Sequence, residues 1–244
     1  MNFDKTDVIF LSNQLSHSIF LGNISCTIEG KEFINNPNQS VKSLGVQLDN
    51  SLSMEKMVMN CVSNCHFNLK KLGGIRKNLS KYDKLTMVKS YVISCLDYCN
   101  ALYANISKTL LLKLQKVMNA CIRFVFDLPK RSNVEIFAKS VHLLPIRSRI
   151  KYKLCLIAFK VLNGDAPSYL EEMVDLKIPA NIGMELRSSL NTMLLEIPEF
   201  ENTIKHQMAK TWNSLPFALR NCHKIETFKR QLKAHYFSID YPGS

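Results

Sequence analysis

Residues 41–79, "VKSLGVQLDNSLSMEKMVMNCVSNCHFNLKKLGGIRKNL", change their hydrophobic period partway along. From Val41 to Leu48 the residues are apolar and β-branched in the manner of a short strand. After Asp49 the apolar positions recur at helical spacing. Leu52, Val58, Val62, Cys65, Leu69 and Leu72 then fall near one face. The switch sets the expected class: α+β and mostly α, with a small antiparallel sheet first and helices after it.

Upstream of the switch, residues 6–12 (TDVIFLS) and 23–28 (NISCTI) read as further strands of that sheet. Glu29-Gly30 is its expected hairpin turn, and "NNPNQS" (35–40) a loop. Downstream, Gly73-Gly74 is expected to end or loosen the first helix. Ser80 and Asp83 form a capping-box start for the second. Its apolar stripe runs through Leu85, Val88, Tyr91, Val92, Cys95, Leu96 and Cys99. A third amphipathic helix occupies residues 107–128 and stops before Pro129. A short helix at about 133–140 follows. Pro145 suits the first turn of the next, which ends at Gly164. "APSYLEEMVDL" is another short helix, 177–200 an irregular linker, and two helices flank "WNSLP" (212–216) at the end.

Charge is unevenly spread along the 244 residues, whose net charge is +12. Residues 1–60 hold 4 Lys/Arg against 6 acids, but 66–89 hold 7 against 1 and 108–153 hold 11 against 2. Acids return in 161–204, with 8 against 2 basic residues, before a basic close. Cations concentrated in the middle form the electrostatic footprint of a polyanion partner. A lysine-rich solvated helical surface would give the same counts.

Several chemistries lack their residues. No apolar run approaches the roughly 18–20 residues that span a bilayer. The N-terminus has no basic-then-apolar export pattern, so an intracellular protein outside the membrane is expected. The eight cysteines then read as reduced, buried thiols. Cys61/Cys65 and Cys95/Cys99 are each four apart, read as mid-helix positions on apolar stripes. Small buried hydrophobes are therefore expected there, and no metal site. Six scattered histidines supply no cysteine–histidine catalytic signature, and Gly73-Gly74 lacks the Lys-Ser/Thr of a phosphate loop. No two of the nine aspartates are adjacent, and the only adjacent acidic pair is Glu171-Glu172. A two-metal phosphoryl-transfer site needs clustered carboxylates.

Six segments, in this order, resemble the C-terminal part of reverse transcriptases from non-LTR (LINE-type) retrotransposons, especially the jockey and chicken-repeat group. They are "NFDKTDVIF", "VKSLGVQLDNSLSMEKMV", "YVISCLDYCNALYANIS", "LLLKLQKVMNACIRFVF", "VHLLPIRSRIKYKLCLIAFKVLNGDAPSYL" and "WNSLPFALRNCHKIETFKRQLKAHYF". The resemblance implies a palm remnant in residues 1–50, a helical thumb-like domain in 51–128 and a helical C-terminal extension in 129–244. "NFDKTDVIF" is similar to polymerase motif D and "SLGVQLD" to motif E, the primer-grip hairpin, here Leu44, Gly45 and Val46. The motif D lysine, here Lys5, is implied as a general acid toward the departing pyrophosphate. A solvated turn lysine is the plainer reading here. The family's catalytic aspartates, one on the first palm strand and a Tyr/Phe-Ala-Asp-Asp pair, have no counterpart in this sequence.

The expectation is thus a reverse-transcriptase fragment that grips substrate and is inactive alone. The intact family enzyme would use Mg; no cofactor is expected for this chain. The implied partner is an RNA or RNA–DNA duplex held non-specifically by Lys70, Lys71, Arg76, Lys77, Lys81, Lys84, Lys113, Lys116 and Arg123. Further candidates are Lys130, Arg131, Arg147, Arg149, Lys151 and Lys153. The rival expectations are a helical interaction module that self-associates through an exposed palm surface, and a transposon-derived fragment without function.

Overall fold

A computed structural model describes residues 6–11, 25–34, 40–176 and 193–242. Among the described residues the strands form two two-stranded antiparallel hairpins that do not pair with each other. β1 (Ser25–Ile28) pairs with β2 (Lys31–Ile34), and β3 (Ser40–Ser43) with β4 (Val46–Asp49). Each turn has two residues at positive φ: Glu29 (47°) with Gly30 (82°), and Leu44 (47°) with Gly45 (83°). Two-residue turns of that hand match strand twist, and glycine at the second position tolerates it without steric cost. The expected single strand 41–48 is therefore a hairpin folded at its own glycine. Residues 6–11, expected as a strand, have no regular structure. A β-branched run becomes a strand only when a neighbour completes its hydrogen bonds, and no described strand pairs with this one.

Ser53, Met54 and the Asp49 carboxylate make the junction into the helices. Asp49 accepts from the Ser53 backbone N–H at 2.8 Å and from both the Ser51 and Ser53 hydroxyls. α1 (Glu55–Ile75) then buries Met57, Val58, Cys61, Cys65 and Leu72. It ends at Ile75, one residue past the Gly73-Gly74 pair expected to end or loosen it, and tightens there into a 3₁₀ turn at Arg76–Asn78. Leu52 stays outside the helix at φ 52°.

α2 (Lys81–Val88) opens with the expected capping box: Asp83 N–H donates to Ser80 Oγ, and the Ser80 N–H to the Asp83 carboxylate. It continues through a π segment at Lys89–Ile93 into α3 (Ser94–Asp97). The extra residue per turn rotates the apolar stripe, burying Val88, Val92, Ile93 and Leu96 while Tyr91 faces solvent. Cys99 is not mid-helix: the chain has left the helix and takes φ 48° there.

α4 (Lys108–Val125) starts at a Ser107 cap and carries the densest apolar face, including Leu114, Val117, Met118 and Cys121. It packs on α1 and α2. α5 (Glu135–Ser140) leads to α6 (Ile146–Leu162), whose first N–H has no local side-chain cap. Gln115 of α4 supplies one, accepting from Ile146 N–H at 2.9 Å.

The close of the chain has three helices where two were expected: α7 (Ile204–Asn213), α8 (Phe217–Arg220) and α9 (Ile225–Asp240). "WNSLP" explains their geometry. Trp212 is buried and donates its indole N–H to the Met193 carbonyl at 2.7 Å. The Asn213 amide brackets Leu195 like a strand neighbour, accepting from its N–H and donating to its C=O, both at 2.8 Å. Pro216 then starts α8. One continuous apolar core reaches from Met54 to Tyr241 without a break at residue 128. Among the described residues, no helix is long and apolar enough to cross a membrane.

The aromatic centre of the second half is Phe228, fully buried, stacked on Phe159 at 4.3 Å and 5.9 Å from Trp212. Phe228→Ala should lower unfolding free energy in urea by about 3–5 kcal/mol. Ile136→Ala, at a side chain 76% exposed, should cost less than about 0.5 kcal/mol.

Candidate nucleic-acid interface

The end of α4 decides which cations remain available. Past Phe126 the chain turns through Asp127 at φ 55°, aiming its carboxylate back across α2. Lys84 donates to one oxygen at 2.6 Å, and Arg76 pairs with the other at 2.5 Å. Arg76 also donates to the Arg123 carbonyl at 3.1 Å, and Arg123 to the Ser132 carbonyl at 3.1 Å. Lys84 is only 6% exposed. Three of the nine expected phosphate ligands are therefore engaged internally: Arg76 and Lys84 tie the end of α1 and α2 to the end of α4, and Arg123 ties α4 to the segment that follows it. Lys113 is half-buried, its Nζ 3.2 Å from Met59 Sδ. Among the further candidates, Arg149 is engaged by Asp97 through two oxygens, Nε to Oδ1 at 2.8 Å.

The others lie in solvent: Lys70, Lys71, Lys77, Lys81 and Lys116, then Lys130, Arg131, Arg147, Lys151 and Lys153. Chain geometry brings several to one end of the bundle. α1 finishes there with Lys70 and Lys71, the 3₁₀ turn adds Lys77, and α2 begins with Lys81. Lys130 and Arg131 follow the end of α4. Lys81 sits 4.0 Å from the Phe126 ring centroid and Lys71 4.4 Å from that of Phe67. Both are thus steadied while exposed. Tyr82, beside them, is 77% exposed.

The primer-grip-like residues divide by depth. Val46 is buried, Gly45 lies under Tyr98, and Leu44 is 92% exposed at the tip. Tyr98 donates its hydroxyl to the Leu44 carbonyl, so the hairpin is pinned to the end of α3. Lys5 lies outside the described residues.

Four of the eight thiols, Cys61, Cys65, Cys121 and Cys155, are buried as expected, whereas Cys26, Cys95, Cys99 and Cys222 are only half-buried. Burial pushes Cys121 and Cys155 up to about 12, so both stay protonated. Cys65 donates to the Val92 carbonyl, inside the π segment, and Cys61 to that of Cys95, just past it. Among the described residues, no three His, Cys, Asp or Glu side chains are grouped to hold a metal ion. Sequence reasoning missed Lys89, Asn100 and Lys233, which the fold gathers near Arg149 and Lys153. They are separated by up to 144 positions, so no local motif announces them.

Two measurements check this geometry. The Lys84 ammonium, then Arg76, holds the Asp127 carboxyl below the usual carboxylate range against partial desolvation. A depressed folded value means stability present above the ordinary pKa of about 3.9 and lost as pH falls through the folded one. Asp127→Asn should unfold at lower urea than wild type at pH 7, and the gap should close between about pH 4 and pH 2. A gap constant over that range contradicts the ion pairs. At Gly45 an added Cβ would lie 3.3 Å from Tyr98 Oη, whereas at Gly30 it meets nothing within 4 Å. Gly45→Ala should therefore cost about 1–2 kcal/mol and exceed Gly30→Ala, read from urea midpoints.

Compared with family models, curated proteins and solved structures, the chain matches none of them.

Proposed function

We propose that this chain is the substrate-gripping part of a LINE-type reverse transcriptase, a helical module that holds an RNA or RNA–DNA duplex by its phosphate backbone. It carries out no polymerisation by itself, because its sequence has none of the clustered aspartates that would hold two metal ions. The observation that carries the reading is the exposed cationic end where α1, α2 and α4 meet. Lys70, Lys71, Lys77, Lys81, Lys130 and Arg131 lie in solvent there, and the Asp127 carboxylate among them is already paired. Contacts of this kind position a duplex and carry no sequence information. The Leu44 turn, pinned by Tyr98, fits the primer-grip resemblance as a rigid tip beside the helices.

A second reading, an interaction module that pairs with itself, rests on the same Leu44: a large apolar side chain almost wholly in water at positive φ. Sedimentation separates the two readings. A monomer that binds duplex supports the first, and a dimer abolished by Leu44→Ser supports the second.

Filter binding to a duplex RNA of arbitrary sequence tests the main proposal. Affinity should fall by about a hundredfold or more between about 50 and 200 mM salt. Replacing Lys70, Lys71, Lys77 and Lys81 together by Gln should weaken binding and flatten the log–log salt slope by roughly 2–4. A salt-independent affinity, or an unchanged slope in the quadruple variant, overturns it.

A further inference from the structure

A cleft of about 270 Å³ opens between α6, α9 and the 3₁₀ segment Asn100–Asn105, away from the α1/α2/α4 end. Arg149 and Lys153 enter from α6 and Lys233 from α9, with the half-buried Tyr152 ring as a wall. Among the described residues the one carboxylate in the lining, Asp97, is held by Nε and Nη2 of Arg149. Lys153 and Lys233 have no anionic partner among the described residues of the cleft, and the field at Lys233 includes Lys89 as well as Arg149. Glu226 lies close enough to affect Tyr152, but it is paired with Lys229 at 2.8 Å. Partial desolvation of an otherwise exposed amine, then those two cations, lowers the affinity of Lys233 for its proton. Cations crowded without a counter-ion are the arrangement a bound anion stabilises.

The floor adds a second, independent feature. Asn100 is 3% exposed; its amide N–H donates to Asp97 Oδ1 at 3.3 Å, while its Oδ1 has no hydrogen-bond partner. An orphaned buried acceptor calls for a donor, which a phosphate dianion does not provide and a sugar hydroxyl does. The volume lies just under the usual range for small-molecule sites and leaves room for no more than one nucleotide-sized ligand.

We propose that this cleft binds a single phosphorylated nucleoside unit, its phosphate on Lys153 and Lys233 beside Arg149 and a sugar hydroxyl donated to Asn100. The unit is either a free mononucleotide or one residue of an RNA strand, which present the same chemistry. The site is separate from the duplex-gripping end and does not depend on that function.

Calorimetric titration of the full chain with AMP, 2′,3′-dideoxy-AMP, adenosine, inorganic phosphate and a short single-stranded RNA tests it. AMP should bind, adenosine should not, and the dideoxy nucleotide and phosphate should bind at least about tenfold more weakly than AMP. Lys153→Gln with Lys233→Gln should reduce AMP affinity by about tenfold or more. Both side chains are exposed, so the melting temperature of that variant should stay at the wild-type value. Lys233→Arg should retain binding. The quadruple variant at Lys70, Lys71, Lys77 and Lys81 should bind AMP normally, which separates failure of this site from failure of the duplex site. Displacement of AMP by the RNA assigns the site to a strand residue, and its absence to a free nucleotide. No AMP binding, equal binding of AMP and phosphate, or unchanged affinity in the double Gln variant overturns the proposal.

Discussion

The Asp127 carboxylate is the constraint on which the helical body and its surface both depend. It sits just past α4 in a left-handed conformation and gathers Lys84 from α2 and Arg76 from the turn after α1. A lysine as deeply buried as Lys84 is tolerable only with such a partner, since an unpaired buried charge is among the costliest groups a fold can hold. The three helices are thereby fixed in register at one end. That end is also where Lys71, Lys77 and Lys81 emerge into water. Internal and external cations are separated by a few residues and by one carboxylate.

The remaining architecture repeats this economy of long-range capping. Gln115 of α4 satisfies the first N–H of α6, Asn213 of α7 imitates a strand for Leu195, and Tyr241 donates to the Leu143 carbonyl at 2.9 Å. Each pairs a backbone group that its own element leaves open. Together with the core from Met54 to Tyr241, these bonds join α1–α4 to the following helices as one packed unit. The cleft lined by Asp97, Asn100, Arg149 and Lys233 exists because of that union, as its residues come from both halves.

How legible was this from sequence? Helix positions were, because the capping box at Ser80, the Ser107 start and the Asn163–Gly164 end of α6 are local signals. The hairpin at Glu29-Gly30 was equally plain. Periodicity alone read 41–48 as one strand, because Leu44 is a residue that seldom adopts positive φ; only the likeness of "SLGVQLD" to a primer-grip hairpin pointed to a turn there. The π segment escaped because a rotated stripe reads as a regular one until packing shows that Tyr91 faces out and Ile93 faces in. Basic side chains could be counted but not sorted. Whether Lys84 or Lys81 faces a phosphate depends on Asp127, more than forty residues away, and no periodicity carries that information.

The division of the lysines is the central claim, and one measurement addresses it directly. Lysine acetylation under limiting reagent, mapped by mass spectrometry with and without an RNA duplex, reports each amine. Lys70, Lys71, Lys77 and Lys81 should react readily in the free chain and be protected by the duplex, while Lys84 stays unreactive throughout. Lys84 reacting as fast as Lys81, or duplex leaving all four exposed lysines unprotected, would contradict the account.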